Sequence, residues 1–201
     1  MARTPWARVA RGLAGVALLA YPVLVWLGLS SRSPRAIALI LLCVLAPAAF
    51  LRLRTVAGRE LRGLAAIPLA SLASLALASW LDSLGFILAV PVAINAILLL
   101  TFGATLRAGA RPMIERFARL QESSLSAEQL AWCRLWTCIW CLFFVVNGGL
   151  AAGLACLAPL SWWALYNGLV AYALIGSLLA TEWLLRRRRF PGLREAGDGP
   201  L

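Results

Sequence analysis

This chain reads as an all-α, polytopic membrane protein: six transmembrane helices arranged as hairpins, with both termini in the cytoplasm. Three features carry that reading. Hydrophobic residues make up 62% of the 201 residues and charged ones only 13%, and the mean hydropathy is +0.85. Near-uncharged runs approach or exceed the ~20 residues that cross a bilayer, and a chain this short has too much surface to hide them all in one soluble core. The arginines between those runs fall almost entirely on alternate connections.

The spans follow in order. The first, 12–30, comes after Arg3, Arg8 and Arg11. It looks like a signal peptide, but its apolar run is long, Pro22 interrupts it and no A-x-A site follows, so an uncleaved helix is expected. The second, 36–51, is short and ends at Arg52 and Arg54. The third, 63–81, follows Arg59 and Arg62 and carries small residues at three- and four-residue spacing. The fourth, 84–106, is closed by Arg107. The fifth, 135–157, follows Arg134, and the sixth, 162–185, stops at arginines 186–189. With the N-terminus inside, seventeen of the nineteen arginines are cytoplasmic and only Arg32 and Arg35 are outside. The outside connections "SSRSPR", "DS" and "APLS" are short, which predicts hairpins 1–2, 3–4 and 5–6, with Asp82 a solvated turn residue. Pro22, Pro47, Pro68 and Pro91 predict kinks.

Residues 107–134 are then the one sizeable cytoplasmic loop, and 186–201 form a basic tail. In "RPMIERFARL", Pro112 lies near a helix start and Met113, Ile114, Phe117 and Leu120 recur at helical spacing. Arg111, Glu115, Arg116 and Arg119 take the remaining positions. This suits an amphipathic helix in the interface, near anionic headgroups, or a docking site for a partner. Ser126 with Gln129 is a capping-box pattern and predicts a helix from Ala127 running unbroken into the fifth span. It would enter the membrane near Trp132 and Trp136, at the depth of the aromatic belt.

Composition removes whole reaction classes. There is no His, which takes away Ser–His and Cys–His mechanisms and the usual zinc, di-iron and haem sites. Asp82 and Glu182 are expected on opposite sides of the membrane, too far apart to pair. No catalytic residue, metal or cofactor is therefore assigned. Cys138 and Cys141 form a CxxC after Cys133, yet within an apolar helix these thiols read as small hydrophobes, as do Cys43 and Cys156.

The intramembrane polar residues carry the most information. Asn95, Asn147 and Asn167 must face the bundle interior, because hydrocarbon would leave their amides unpaired. They serve either as helix–helix hydrogen bonds or, with Tyr166 and Tyr172, as a polar cleft for a lipid headgroup. Gly149 and Gly153 form a GxxxG for packing within the bundle or for homodimerisation. Glu182 and Arg186 are an i,i+4 ion pair.

"RPMIERF", "LAWCRLWTCIWCLFFVVNGG" and "WWALYNGLVAYALIGSLLATEWLLRRRRF", about 40% of the chain, resemble the C-terminal half of the intracellular septation protein A family of bacterial inner-membrane proteins. A sister group encoded beside aryl-polyene or xanthomonadin-type pigment genes looks closer still. It is sometimes labelled ketosynthase, a chemistry that the missing His opposes. The resemblance implies an inner-membrane protein associated with envelope maintenance or with export or assembly of a membrane-resident lipid. The missing catalytic sets, the fifth-span GxxxG and the basic loop make the expected protein a non-enzymatic one that supports the envelope or an aryl-polyene-type pathway through contacts with other membrane proteins or with itself. A small lipid transporter or flippase-like carrier is the first alternative, and an enzyme acting on a lipid-linked precursor the second. Expected partners are anionic membrane lipids and membrane proteins, with no nucleic acid and no cofactor.

Overall fold

The computed structural model describes residues 33–55, 64–120 and 124–190, together with Val25 and Gly28. The expected first span lies outside the described residues except at those two positions, as do the connection at 56–63 and the tail beyond 190. Among the described residues every regular element is helical. They are α1 (Pro34–Thr55), α2 (Ala66–Leu81), α3 (Leu84–Leu88), α4 (Val90–Ala104), α5 (Met113–Ala118), α6 (Ala127–Leu157) and α7 (Leu160–Leu165). A π-helical turn (Tyr166–Val170) then leads into α8 (Ala171–Arg189).

Three stretches are long and apolar enough to cross a membrane: Leu84–Ala104, Ala127–Leu157 and Leu160–Arg189. The second and third expected spans are helices but fall short of that length. The apolar part of α1 is Pro34–Pro47, and α2 has 16 residues, about 24 Å of helix against ~30 Å of hydrocarbon.

The local chemistry explains where the helices begin, break and end. The expected fourth span divides at Ala89, two residues before Pro91, which has no N–H to donate to the preceding turn. The helix from Ala127 runs 31 residues without a stop. Its capping box is complete: Ser126 Oγ accepts from the Gln129 N–H at 3.2 Å, and Gln129 Oε1 accepts from the Ser126 N–H at 2.7 Å. At about 46 Å this helix exceeds the hydrocarbon, so its first turns extend beyond it. Pro159 then turns the chain back into α7.

Asp82 does more than sit in solvent. It ends α2 in the left-handed region, φ 48°, and its carboxylate accepts the Arg35 N–H at 2.7 Å. The Arg35 guanidinium donates to the Ser79 and Trp80 carbonyls at 2.8 and 3.2 Å. A cation therefore rests on the negative end of α2 and ties the start of α1 to it, making the two helices antiparallel neighbours. The most extensive helix pair is α4 with α6, followed by α1 with α2. Both pairs are joined through the connections expected inside, so neither is one of the expected hairpins. In the expected 5–6 hairpin the last stretch meets α6 through side chains, Tyr166 on Asn147, Glu182 on Trp140 and Phe190 on Trp132, and only 6% of the apolar length of the final span is buried.

The interior has two apolar clusters. One, around Leu41, Leu75, Ile87 and Trp163, lies at the end carrying Asp82. The other, around Phe102, Met113, Trp136 and Phe144, lies at the arginine-rich end. There Arg134 Nη2 donates to the Leu106 carbonyl at 2.9 Å, and the rings of Trp132 and Phe190 meet at 6.0 Å. Trp132 and Trp136 thus pack inward, and Trp136 is buried. Among the described residues the exposed tryptophans are Trp80, Trp162 and Trp183. Trp162 and Trp183 are separated by about 31 Å of helix axis, one hydrocarbon thickness, so these two residues fit the aromatic belt.

Candidate functional site

Between the two clusters lies a buried polar layer. Asn147 Nδ2 donates to Asn95 Oδ1 at 3.0 Å, and Tyr166 Oη donates to Asn147 Oδ1 at 2.8 Å. Asn95 Nδ2 is used by the Pro91 carbonyl at 2.8 Å, on the turn where α3 gives way to α4. One chain of amides and a hydroxyl thereby joins α4, α6 and the π turn, and satisfies groups that an apolar interior would otherwise penalise. Close approach is required here. A Cβ placed on Gly148 would sit 2.9 Å from Asn95 Cβ, so only glycine lets α4 come this near to α6.

Asn167 stands apart from that chain. Asn167 is buried, but its Nδ2 donates to the Trp163 carbonyl of its own helix at 2.9 Å. That bond falls where the regular i→i−4 ladder gives way to the π turn, closed by Ala171 N on the Tyr166 carbonyl. Tyr172 is half-buried in the first turn of α8. The five residues expected to line one polar cleft therefore divide into a bridge between elements (Asn95, Asn147, Tyr166), a brace within one helix (Asn167) and a half-buried Tyr172.

A cavity lies elsewhere. A cleft of about 500 Å³ opens between α4, α5, α6 and α8 at the arginine-rich end, and none of the five residues lines it. Its volume lies in the range of small-ligand pockets. Three rings from three elements, Phe102, Phe117 and Phe144, form one wall, with Ile175 and Leu179 of α8 opposite. The rings pack as a set: Phe102 meets Phe144 edge-on at 5.1 Å and Phe117 at 6.5 Å. At the mouth stand Glu182 and Arg186, four residues apart on α8. Trp140 Nε1 donates to Glu182 Oε2 at 3.3 Å, which holds the carboxylate against α6. Arg186 attracts it electrostatically. The adjoining Trp183 is stacked under the Arg187 guanidinium at 4.2 Å, a cation–π pair of the kind found at membrane interfaces.

Comparison with known proteins finds no matching family model, no matching curated protein and no matching solved structure.

The remaining expected site residues fall as follows. The loop helix α5 is six residues long and does not lie free. Pro112, Met113, Ile114, Glu115 and Ala118 are buried, and the Ile114 N–H, one of the donors that a helix start leaves unpaired, is taken by Thr137 Oγ1 at 3.2 Å. Thr137 in turn donates to the Cys133 carbonyl at 2.8 Å. Glu115, expected on the polar face, is buried and paired with Arg119 at 2.7 Å. Arg116 Nε donates to the carbonyl of the exposed Arg111 at 3.1 Å. Gly149 and Gly153 have open space around them among the described residues, so the intimate contact belongs to Gly148, next to the motif. Cys43, Cys133, Cys138, Cys141 and Cys156 are free thiols.

Sequence reasoning missed Thr137, Trp140 and the aromatic wall. A lone hydroxyl within "WTCIW" was the available signal for Thr137. Nothing in the linear spacing relates Trp140 to Glu182, which is 42 residues away.

Proposed function

We propose that this is a non-enzymatic, multi-pass protein of the bacterial inner membrane that serves envelope biogenesis or an aryl-polyene-type lipid pathway by holding a lipid in the α4–α6–α8 cleft. The cleft is the observation that carries this reading: an aromatic and aliphatic trough with one acid and one base at its mouth, at the depth of an interfacial tryptophan. The carrier-like alternative thereby gains over docking through the loop, because α5 buries the apolar face it would have offered. The resemblance to septation protein A-like proteins points to the same compartment.

The threading that accompanies this reading has six spans with both termini inside. Its support is the arginine distribution, together with the gathering of Leu106, Arg134 and Phe190 at one end of the bundle and of Arg35 and Asp82 at the other. Single cysteines introduced at residues 120 and 190 of a cysteine-free variant should both be labelled only from the cytoplasmic side, and one at residue 82 only from outside.

The lipid reading has its own test. Protein extracted in mild detergent should retain lipid through size-exclusion chromatography, seen as mass adducts in native mass spectrometry. Filling the trough with Ile175→Trp and Leu179→Trp should strip those adducts while the helical circular-dichroism signal persists. A wild type carrying only background detergent would refute it. A protein-partner role is the second reading, favoured by the exposed length of α8. Crosslinkers placed at Leu174 or Trp183, both exposed, should then trap a specific membrane protein.

A further inference from the structure

Resting on the reading of the cleft as a lipid site, the geometry points to the class of lipid: we propose that the trough takes a single-chain, uncharged lipid of the monoacylglycerol type, in preference to two-chain and to charged ones.

Size gives the first half of that assignment. The cleft measures about 500 Å³. A methylene fills roughly the ~30 Å³ share of a water molecule in the liquid, so the space holds about seventeen of them, one acyl chain. A second chain either stays in the bilayer or forces Phe102 off Phe144, which meet edge-on at 5.1 Å. Rings packed in this way resist widening.

Charge gives the second half. Glu182 and Arg186 are the charged groups lining the cleft, and both are engaged. Trp140 Nε1 donates to Glu182 Oε2 at 3.3 Å. Arg186 draws the same carboxylate from one turn along α8, and it has further contacts of its own. The mouth therefore carries two opposite charges that cancel. Every other lining residue is aliphatic or aromatic. An ionic headgroup entering here would exchange water for partners already taken, which is expensive. A hydroxyl or ester loses far less, and it rests at the rim beside Trp183, an exposed ring at headgroup depth. The arginines beyond the mouth do not reverse this. Arg187 is stacked on the Trp183 ring at 4.2 Å and does not line the cleft. The others face the anionic lipids of the surrounding bilayer, and salt screens them within ~10 Å.

The experiment is a competition on the full chain in mild detergent, read by native mass spectrometry. The probes share one chain type: monooleoylglycerol, dioleoylglycerol, oleyl phosphate and oleyltrimethylammonium. Only adducts lost from the Ile175→Trp, Leu179→Trp variant are scored, which sets aside lipid held by arginines elsewhere. Wild type should bind one monooleoylglycerol per chain, about tenfold in preference to each of the other probes, the scale of one polar group left without a partner. Glu182→Gln keeps an acceptor for Trp140 but leaves Arg186 without its opposite charge, and should lift oleyl phosphate at least to parity with monooleoylglycerol. Arg186→Gln should do the same for oleyltrimethylammonium. Equal retention of dioleoylglycerol by wild type would overturn the single chain. Equal retention of either ion, or a preference that both substitutions leave untouched, would overturn the uncharged head. If monooleoylglycerol does not bind while co-purified lipid is still lost from the Ile175→Trp, Leu179→Trp variant, the lipid class falls and the cleft remains a lipid site. If that variant keeps its co-purified lipid, the cleft reading falls with it.

Discussion

Asn147 bonds two other elements at once, donating to Asn95 of α4 and accepting from the Tyr166 hydroxyl of the π turn. Asn147→Leu leaves both partners short of a bond and should cost about 1–2 kcal/mol, the range of interhelical hydrogen bonds in membrane proteins. Adding Asn95→Leu should restore part of the loss, since removing both partners is cheaper than orphaning one. Thermal unfolding in detergent reads both. Gly148→Ala should cost about 1–3 kcal/mol through overpacking against Asn95, whereas Gly149→Ala should be nearly neutral. The sequence showed that the asparagines had to face inward, because an amide in an apolar run has nowhere else to go. It could not show which of them meet. Among the described residues the close contact falls on Gly148, beside the Gly149–Gly153 motif, because small-residue spacing marks a helix that can approach another, while the facing side chain decides which glycine is used.

Helix starts and stops were the most legible level. Ser126, Gln129 and Pro159 act through their own neighbours in the chain, so local chemistry sufficed. Ser126→Ala should destabilise the start of α6 by about 1 kcal/mol, and hydrogen exchange should accelerate first at residues 127–131. Gln129→Ala on top of it should add little, because the two bonds form one reciprocal unit. What the sequence concealed at this level was partnership. The pattern in "RPMIERFARL" gave α5 an apolar face correctly, but bilayer and protein are both apolar, and periodicity cannot distinguish them. Thr137 decides the matter by taking a backbone donor of α5.

At the scale of the whole molecule, the two most extensive helix pairs are the ones that an interhelical bond or glycine contact brings together. The α4–α6 interface has Asn95, Asn147 and Gly148, and α1–α2 has the Arg35–Asp82 clasp. Arg35→Ala should loosen that end of the bundle, seen as faster cysteine labelling at residue 79, with little change near Arg134. The gap left by α8 is the cleft, and no inspection of composition would have located it. It arises from three rings on separate elements and the side chains that α8 sets against them.

The widened turn at Tyr166–Val170 sets the azimuth of everything after it. An α-helix advances about 100° per residue, so straightening that turn into ordinary α geometry with all its residues kept would swing Ile175, Leu179, Glu182 and Arg186 round by roughly a quarter of a circle. The hydropathy profile, net charge and helical content would scarcely change, yet the trough would lose its far wall and its acid–base rim together. A protein that still inserted but came out of the membrane bare of lipid would be the signature of that lost phase.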